Sequence, residues 1–149
     1  MCRLRGVVQW PPLGLILVIL SSALLRADSR ESLQKAAELV QEGRLAEADQ
    51  QARLALADPQ TRAAACSVLG TIRFQQKRLD ESVSFLRQAI RLNPRLLGAH
   101  LSLAEVYTLQ GRPEPALTLF RQILKLDPSN VAARVALART ETEKGNYRE

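Results

Sequence analysis

The chain has 149 residues, 46% hydrophobic and 24% charged, with 21 basic against 15 acidic side chains and a single histidine. That balance excludes a wholly disordered chain and suits one domain or a short array of repeats. Aromatics are only 4% while Ala, Leu, Gln, Glu and Arg abound; those residues lose little side-chain freedom in a helix and offer few β-branched faces to a sheet, so an all-α protein is expected.

At the start, Arg3 and Arg5 precede an apolar run over residues 13–25, with small residues at Ser21, Ser22, Ala23 and Ala27. This is the pattern of a secretory signal peptide over residues 1–27. The run is shorter than the roughly 20 residues that span a bilayer as a helix. A longer stretch from Val7 is interrupted by Pro11 and Pro12, and an uncleaved anchor is the alternative. No cysteine stands directly after the run, so a lipoprotein anchor has no support. Arg3, Arg5 and Arg26 lie in this segment and all 15 acids beyond it, so 18 basic against 15 acidic residues leave the remainder at +3. An interspersed, weakly basic surface is a poor argument for nucleic acid. Cys66 is the one cysteine left beyond the leader, which rules out a disulfide within that part and leaves stability to packing.

From Ser29 onward the sequence repeats itself every 34 residues. "IRLNPRL" at 90–96 returns as "LKLDPSN" at 124–130. Gly43, Lys77, Gly111 and Gly145 keep the interval, as do Leu45, Leu79, Pro113 and Tyr147, and the small residues Ala36, Gly70, Ala104 and Ala138. Leu69, Leu103 and Leu137 precede the last three of those. Further columns are Ala48, Ser82 and Ala116; Ala52, Leu86 and Phe120; and Ala55, Ala89 and Ile123. Small residues let helices approach closely and the large ones fill the seam. Glycines at 43, 111 and 145 suit left-handed helix caps, a geometry Lys77 must tolerate or avoid. Pro113 suits a helix start. Pro94 and Pro128 force the preceding residue out of the α region and end a helix, and Pro59 is expected to close the first unit one residue early.

This helical hairpin, with "LG", a later Gly, then Ala, an aromatic, Ala and a closing "LDP", resembles the tetratricopeptide repeat. The resemblance implies an α-solenoid of antiparallel helix hairpins in a right-handed superhelix, about three and a half repeats long. The units are 29–62 (divergent), 63–96, 97–130 and an incomplete 131–149. The family's Trp column holds Ser32, Cys66, His100 and Arg134, and its Tyr column holds Tyr107 but also Arg73 and Glu141. The last unit stops at "EKGNYRE", which leaves the apolar side of Val135, Leu137 and Ala138 partly bare and suggests a longer chain.

Catalytic motifs are missing from the sequence. One histidine cannot form a His-based metal cluster, and there is no zinc spacing, phosphate loop or nucleophile elbow. Asp80 and Glu81 are adjacent on a helix, point about 100° apart and suit its first turn. His100 and Cys66 share an interior column and are expected to be a satisfied buried histidine and a small buried hydrophobe. No catalysis, cofactor or metal is expected.

The resemblance further implies a concave groove lined by the first helix of each hairpin. Its expected residues are Leu33, Ala37 and Val40; Ser67, Thr71, Phe74 and Gln75; Leu101, Glu105, Thr108 and Leu109; and Arg139. The Lys and Asn with which some family members hold a chaperone's terminal carboxylate are absent from these columns. The expected partner is an apolar or amphipathic protein segment, bound by a non-catalytic adaptor outside the cytoplasm. The alternatives are the recognition arm of a larger exported or membrane enzyme, a glycosyltransferase or protease, and a membrane-tethered scaffold.

Overall fold

The computed structural model describes the backbone of residues 13–146 and the side chains from Ala27 onward, those of Lys144 and Asn146 aside. The basic start of the expected leader, residues 1–12, lies outside the described residues, as does Tyr147. Among the described residues there are seven α-helices and no strand: α1 (Leu13–Gln41), α2 (Leu45–Leu54), α3 (Pro59–Gln75), α4 (Leu79–Leu92), α5 (Leu97–Leu109), α6 (Pro113–Leu126) and α7 (Val131–Asn146). They pair as hairpins α1/α2, α3/α4 and α5/α6, with α7 stacked on α6. The molecule is an all-α solenoid.

The turns follow from the sequence. Gly43 and Gly111 adopt φ of 76° and 68°, and Lys77 takes the same left-handed geometry at 63°. Each is followed by an arginine whose N–H reaches the carbonyl five residues back: Arg44 to Leu39, Arg78 to Arg73 and Arg112 to Tyr107, all at 2.9 Å. This is a Schellman cap, and it works with lysine at the αL position as well as with glycine. Gly145 departs from expectation: it lies inside α7 and caps nothing. Pro94 and Pro128 act as expected, holding Asn93 and Asp127 extended at φ −140°. Pro59 does not close the first unit. It opens α3, with Asp58 as the N-cap accepting from the Gln60 N–H at 3.0 Å. The helix before it, α2, therefore ends early, and Thr61 Oγ1 and Arg62 Nε take up the carbonyls of Ala55 and Leu56 in the turn.

Nothing between Leu15 and Glu42 breaks a helix, since that stretch holds neither Gly nor Pro. Accordingly α1 runs unbroken from the apolar segment into the first repeat, with no interruption at Ser29. No helix among the described residues is long and apolar enough to cross a membrane.

The second helices bury residues at i, i+4 and i+7: Ala48, Ala52 and Ala55; Ser82, Leu86 and Ala89; Ala116, Phe120 and Ile123. That spacing puts them on one stripe facing the first helices, and each buried Leu, Ile or Phe contributes about 1.5–3 kcal/mol. Close approach is tightest at Gly70, where a Cβ would stand 2.6 Å from Leu86 Cγ. The Ser82 hydroxyl donates to the Gly70 carbonyl across the same crossing at 2.8 Å. Ala36 and Ala104 are buried in the equivalent positions, whereas Ala138 is exposed, as are Val131 (67%) and Val135 (62%). Leu137 is half-buried.

The Tyr column is filled by three chemistries. Arg73 is only 6% exposed and reaches back to Asp49 Oδ1 at 2.6 Å, with Glu81 Oε2 3.3 Å from its Nε. Tyr107 lies under the guanidinium groups of Arg112 and Arg87, 5.0 and 5.8 Å from the ring centre. Glu141 accepts from Arg121 at 3.0 Å. Arg53, Arg87 and Arg121 are themselves 34 apart; Arg87 and Arg121 reach the next unit directly, and Arg53 shares Asp49 with Arg73 at 2.6 Å. These are inter-repeat contacts that family substitutions alone did not disclose.

Candidate binding groove

The first helices present a column pattern in which one stripe is neither buried nor fully solvated. Leu33, Val40, Ser67, Thr71, Phe74, Leu101 and Thr108 are half-buried, and Ala37, Gln75, Glu105, Leu109 and Arg139 are exposed. Helical spacing explains the stripe: the opposite face of α3 and α5 is taken up by Leu69, Ile72, Leu103 and Val106 in the core.

Six of these side chains meet around one cavity of about 340 Å³: Phe74 from α3, Leu101, Glu105, Thr108 and Leu109 from α5, and Arg139 from α7. The cavity also involves Phe120, Ala132 and Ala136, which the sequence reading did not place there. Phe120 is 2% exposed and fills the seam as expected. That its ring also borders the cavity depends on how α5, α6 and α7 stack. Ala132 could have been found, since it stands 34 residues after Gly98, one turn before the Leu101 column. Leu33, Ala37, Ser67, Thr71 and Gln75 do not border this cavity.

Hydrogen-bonding capacity along the stripe is low. The hydroxyls of Thr71 and Thr108 donate to their own helix, to the carbonyls of Ser67 (3.2 Å) and Ala104 (3.0 Å), so their methyl groups are what they have to offer a ligand. Arg139 lies 3.7 Å from Glu143. Glu105 forms no ion pair among the described residues.

The other singled-out residues sit elsewhere. His100 is buried, and its Nδ1–H donates to the Leu96 carbonyl at 3.0 Å. Cys66 is buried, and burial pushes its thiol up. Asp80 accepts from Gln110 Nε2 at 3.1 Å, and Glu81 pairs with Arg78 at 2.6 Å in the first turn of α4. Among the described residues no group of three His, Cys, Asp or Glu side chains is placed to hold a metal ion.

A solenoid of helical hairpins with an open apolar stripe defines a class of interaction proteins. Two tetratricopeptide-repeat family models match, over residues 63–96 and 97–140, together just over half of the chain. The chain belongs to the tetratricopeptide-repeat family and, as such, is a scaffold for protein–protein contacts. No curated protein matches it in sequence. Solved structures share the fold. MamA is 22% identical, with a TM-score of 0.70 over 83% of this chain and 74% of its own. The first TPR of Spaghetti (RPAP3), bound to the HSP90 peptide SRMEEVD, is 18% identical, with a TM-score of 0.73 over 80% and 95%. An O-GlcNAc transferase mutant from Thermobaculum terrenum is 22% identical, with a TM-score of 0.70 over 76% of this chain but 22% of its own.

Proposed function

We propose that the chain is a non-catalytic adaptor that acts outside the cytoplasm and binds an apolar or amphipathic protein segment in its concave groove. The observation that carries this reading is the convergence of Phe74, Leu101, Thr108 and Leu109 on one cavity while the neighbouring threonine hydroxyls are already spent on their own helix. Such a surface gains affinity by removing apolar area from water and, Arg139 aside, has few donors with which to hold a carboxylate. The RPAP3 repeat is bound to a peptide ending EEVD; the columns that hold a terminal carboxylate in some family members carry here Leu33 and Ala37, Ser67 and Thr71, Leu101 and Glu105, which suit a different ligand. Export rests on Arg3 and Arg5 ahead of the apolar run.

Two measurements test the reading. Full-length protein is titrated against an array of amphipathic peptides, alongside Leu101→Asp and Phe74→Asp, with helicity followed by circular dichroism. Weakened binding with unchanged helicity is expected; unfolding of both variants places those side chains in the core and removes the groove. N-terminal sequencing of exported protein should begin near Asp28, and an intact Met1 favours the tethered scaffold. The arm of a larger enzyme is the second reading, favoured by the same fold making up 22% of the transferase chain.

A further inference from the structure

We propose that the cavity between α3, α5 and α7 is an anchor pocket for one large apolar side chain, and that Glu105 selects a Lys or Arg beside that anchor in the partner segment. This rests on the groove reading above and adds what the groove prefers. The cavity, about 340 Å³, has room for a leucine- to tryptophan-sized group, and Phe120 and the small side chains of Ala132 and Ala136 also border it.

The charge preference follows from where the carboxylate stands. Leu101, Glu105 and Leu109 are spaced i, i+4 and i+8 on α5 and all border the cavity, so a segment laid over the two leucines also covers the acid between them. Covering an ionised carboxylate without giving it a partner is strongly unfavourable. Among the described residues Glu105 has no ion pair to keep. The Thr108 hydroxyl donates elsewhere, and among the described residues the one cation bordering the cavity, Arg139, is on the side of Glu143. A cation from the partner removes the penalty, a neutral residue leaves it, and an acid adds repulsion, so discrimination comes as much from exclusion as from attraction. The rival account is internal: Arg139 turns from Glu143 to Glu105 when the cavity is covered, which makes the partner's charge irrelevant.

Labelled synthetic peptides separate these. Each carries Phe or Ala at one position and Lys, Gln or Glu within three residues of it, and binding to the full chain is read by fluorescence anisotropy. The expected result is that Phe/Lys peptides bind about tenfold more tightly than Phe/Gln and that Ala at the anchor removes most of the binding. Glu105→Gln should bring Lys and Gln peptides level by strengthening the latter, and Glu105→Lys should favour Glu. Because Glu105 is exposed, both variants should keep wild-type helicity. Peptides that bind with one affinity whatever flanks the anchor overturn the charge selection and leave the groove standing. A preference that appears only in Arg139→Gln overturns it in favour of the internal pair. Equal binding of Phe and Ala peptides overturns the anchor pocket. No binding of any peptide by folded protein overturns the groove reading and this one together.

Discussion

At Gly70 a hydrogen stands where every other residue type would put a carbon 2.6 Å from Leu86 Cγ and 2.8 Å from its Cδ2. Leu86 has little room to yield, since it is itself fully buried and the Ser82 hydroxyl ties α4 to α3 one turn earlier. Gly70→Ala is therefore expected to lower unfolding free energy by about 1–3 kcal/mol despite alanine's better helix propensity, and Gly70→Trp to prevent folding. Urea denaturation of the alanine variant measures it; a stability equal to wild type means the crossing is looser than the geometry states. The glycine at this position was legible from its column. At Lys77 the column also held, because lysine takes the αL cap that Gly43 and Gly111 take. Gly145 broke its column because α7 continues through it.

Between elements, one link is electrostatic. Asp49 on α2 bridges Arg53 on its own helix and Arg73 on α3. Burial alone would push the Asp49 carboxyl up, but the hydrogen bonds from Arg53 and Arg73 outweigh it and hold the group below the usual carboxylate range. A carboxylate held low in the folded state stabilises fully above its unfolded value of about 4, and its contribution is lost as pH falls through the lower folded value. Asp49→Asn is expected to cost about 2 kcal/mol at neutral pH, less than a fully buried pair because Glu81 still faces Arg73. The gap from wild type should then close as pH drops below about 4. Denaturation midpoints across an acid titration check both; a constant gap assigns the loss to packing. The sequence marked Arg73 only as a departure from tyrosine, since its partners lie 24 and 8 residues away on two other helices.

For the molecule as a whole, each hairpin packs mainly on its neighbours, so stability grades along the stack. The large buried side chains Leu69, Ile72, Leu86, Leu117 and Ile123 lie on α3, α4 and α6, whereas α7 buries Ala133 and Thr140 and leaves Val131 and Val135 in solvent. Amide hydrogen exchange should accordingly be slowest in α3 through α6 and fastest in α7, with peptide binding in the groove slowing α7 most, since Arg139 and Ala136 border the cavity. Uniform exchange along all helices contradicts this gradient.

Spacing by itself determined the hairpins, the left-handed caps at Gly43 and Gly111, and the helix ends before Pro94 and Pro128. Each of those is a local or strictly periodic consequence of side-chain size and backbone freedom. Only the tertiary structure decided that Pro59 opens a helix, that Phe120, Ala132 and Ala136 border the cavity, and that three different pairings fill one column. Those outcomes depend on where neighbouring helices cross, and a crossing is set by packing between residues far apart in the chain.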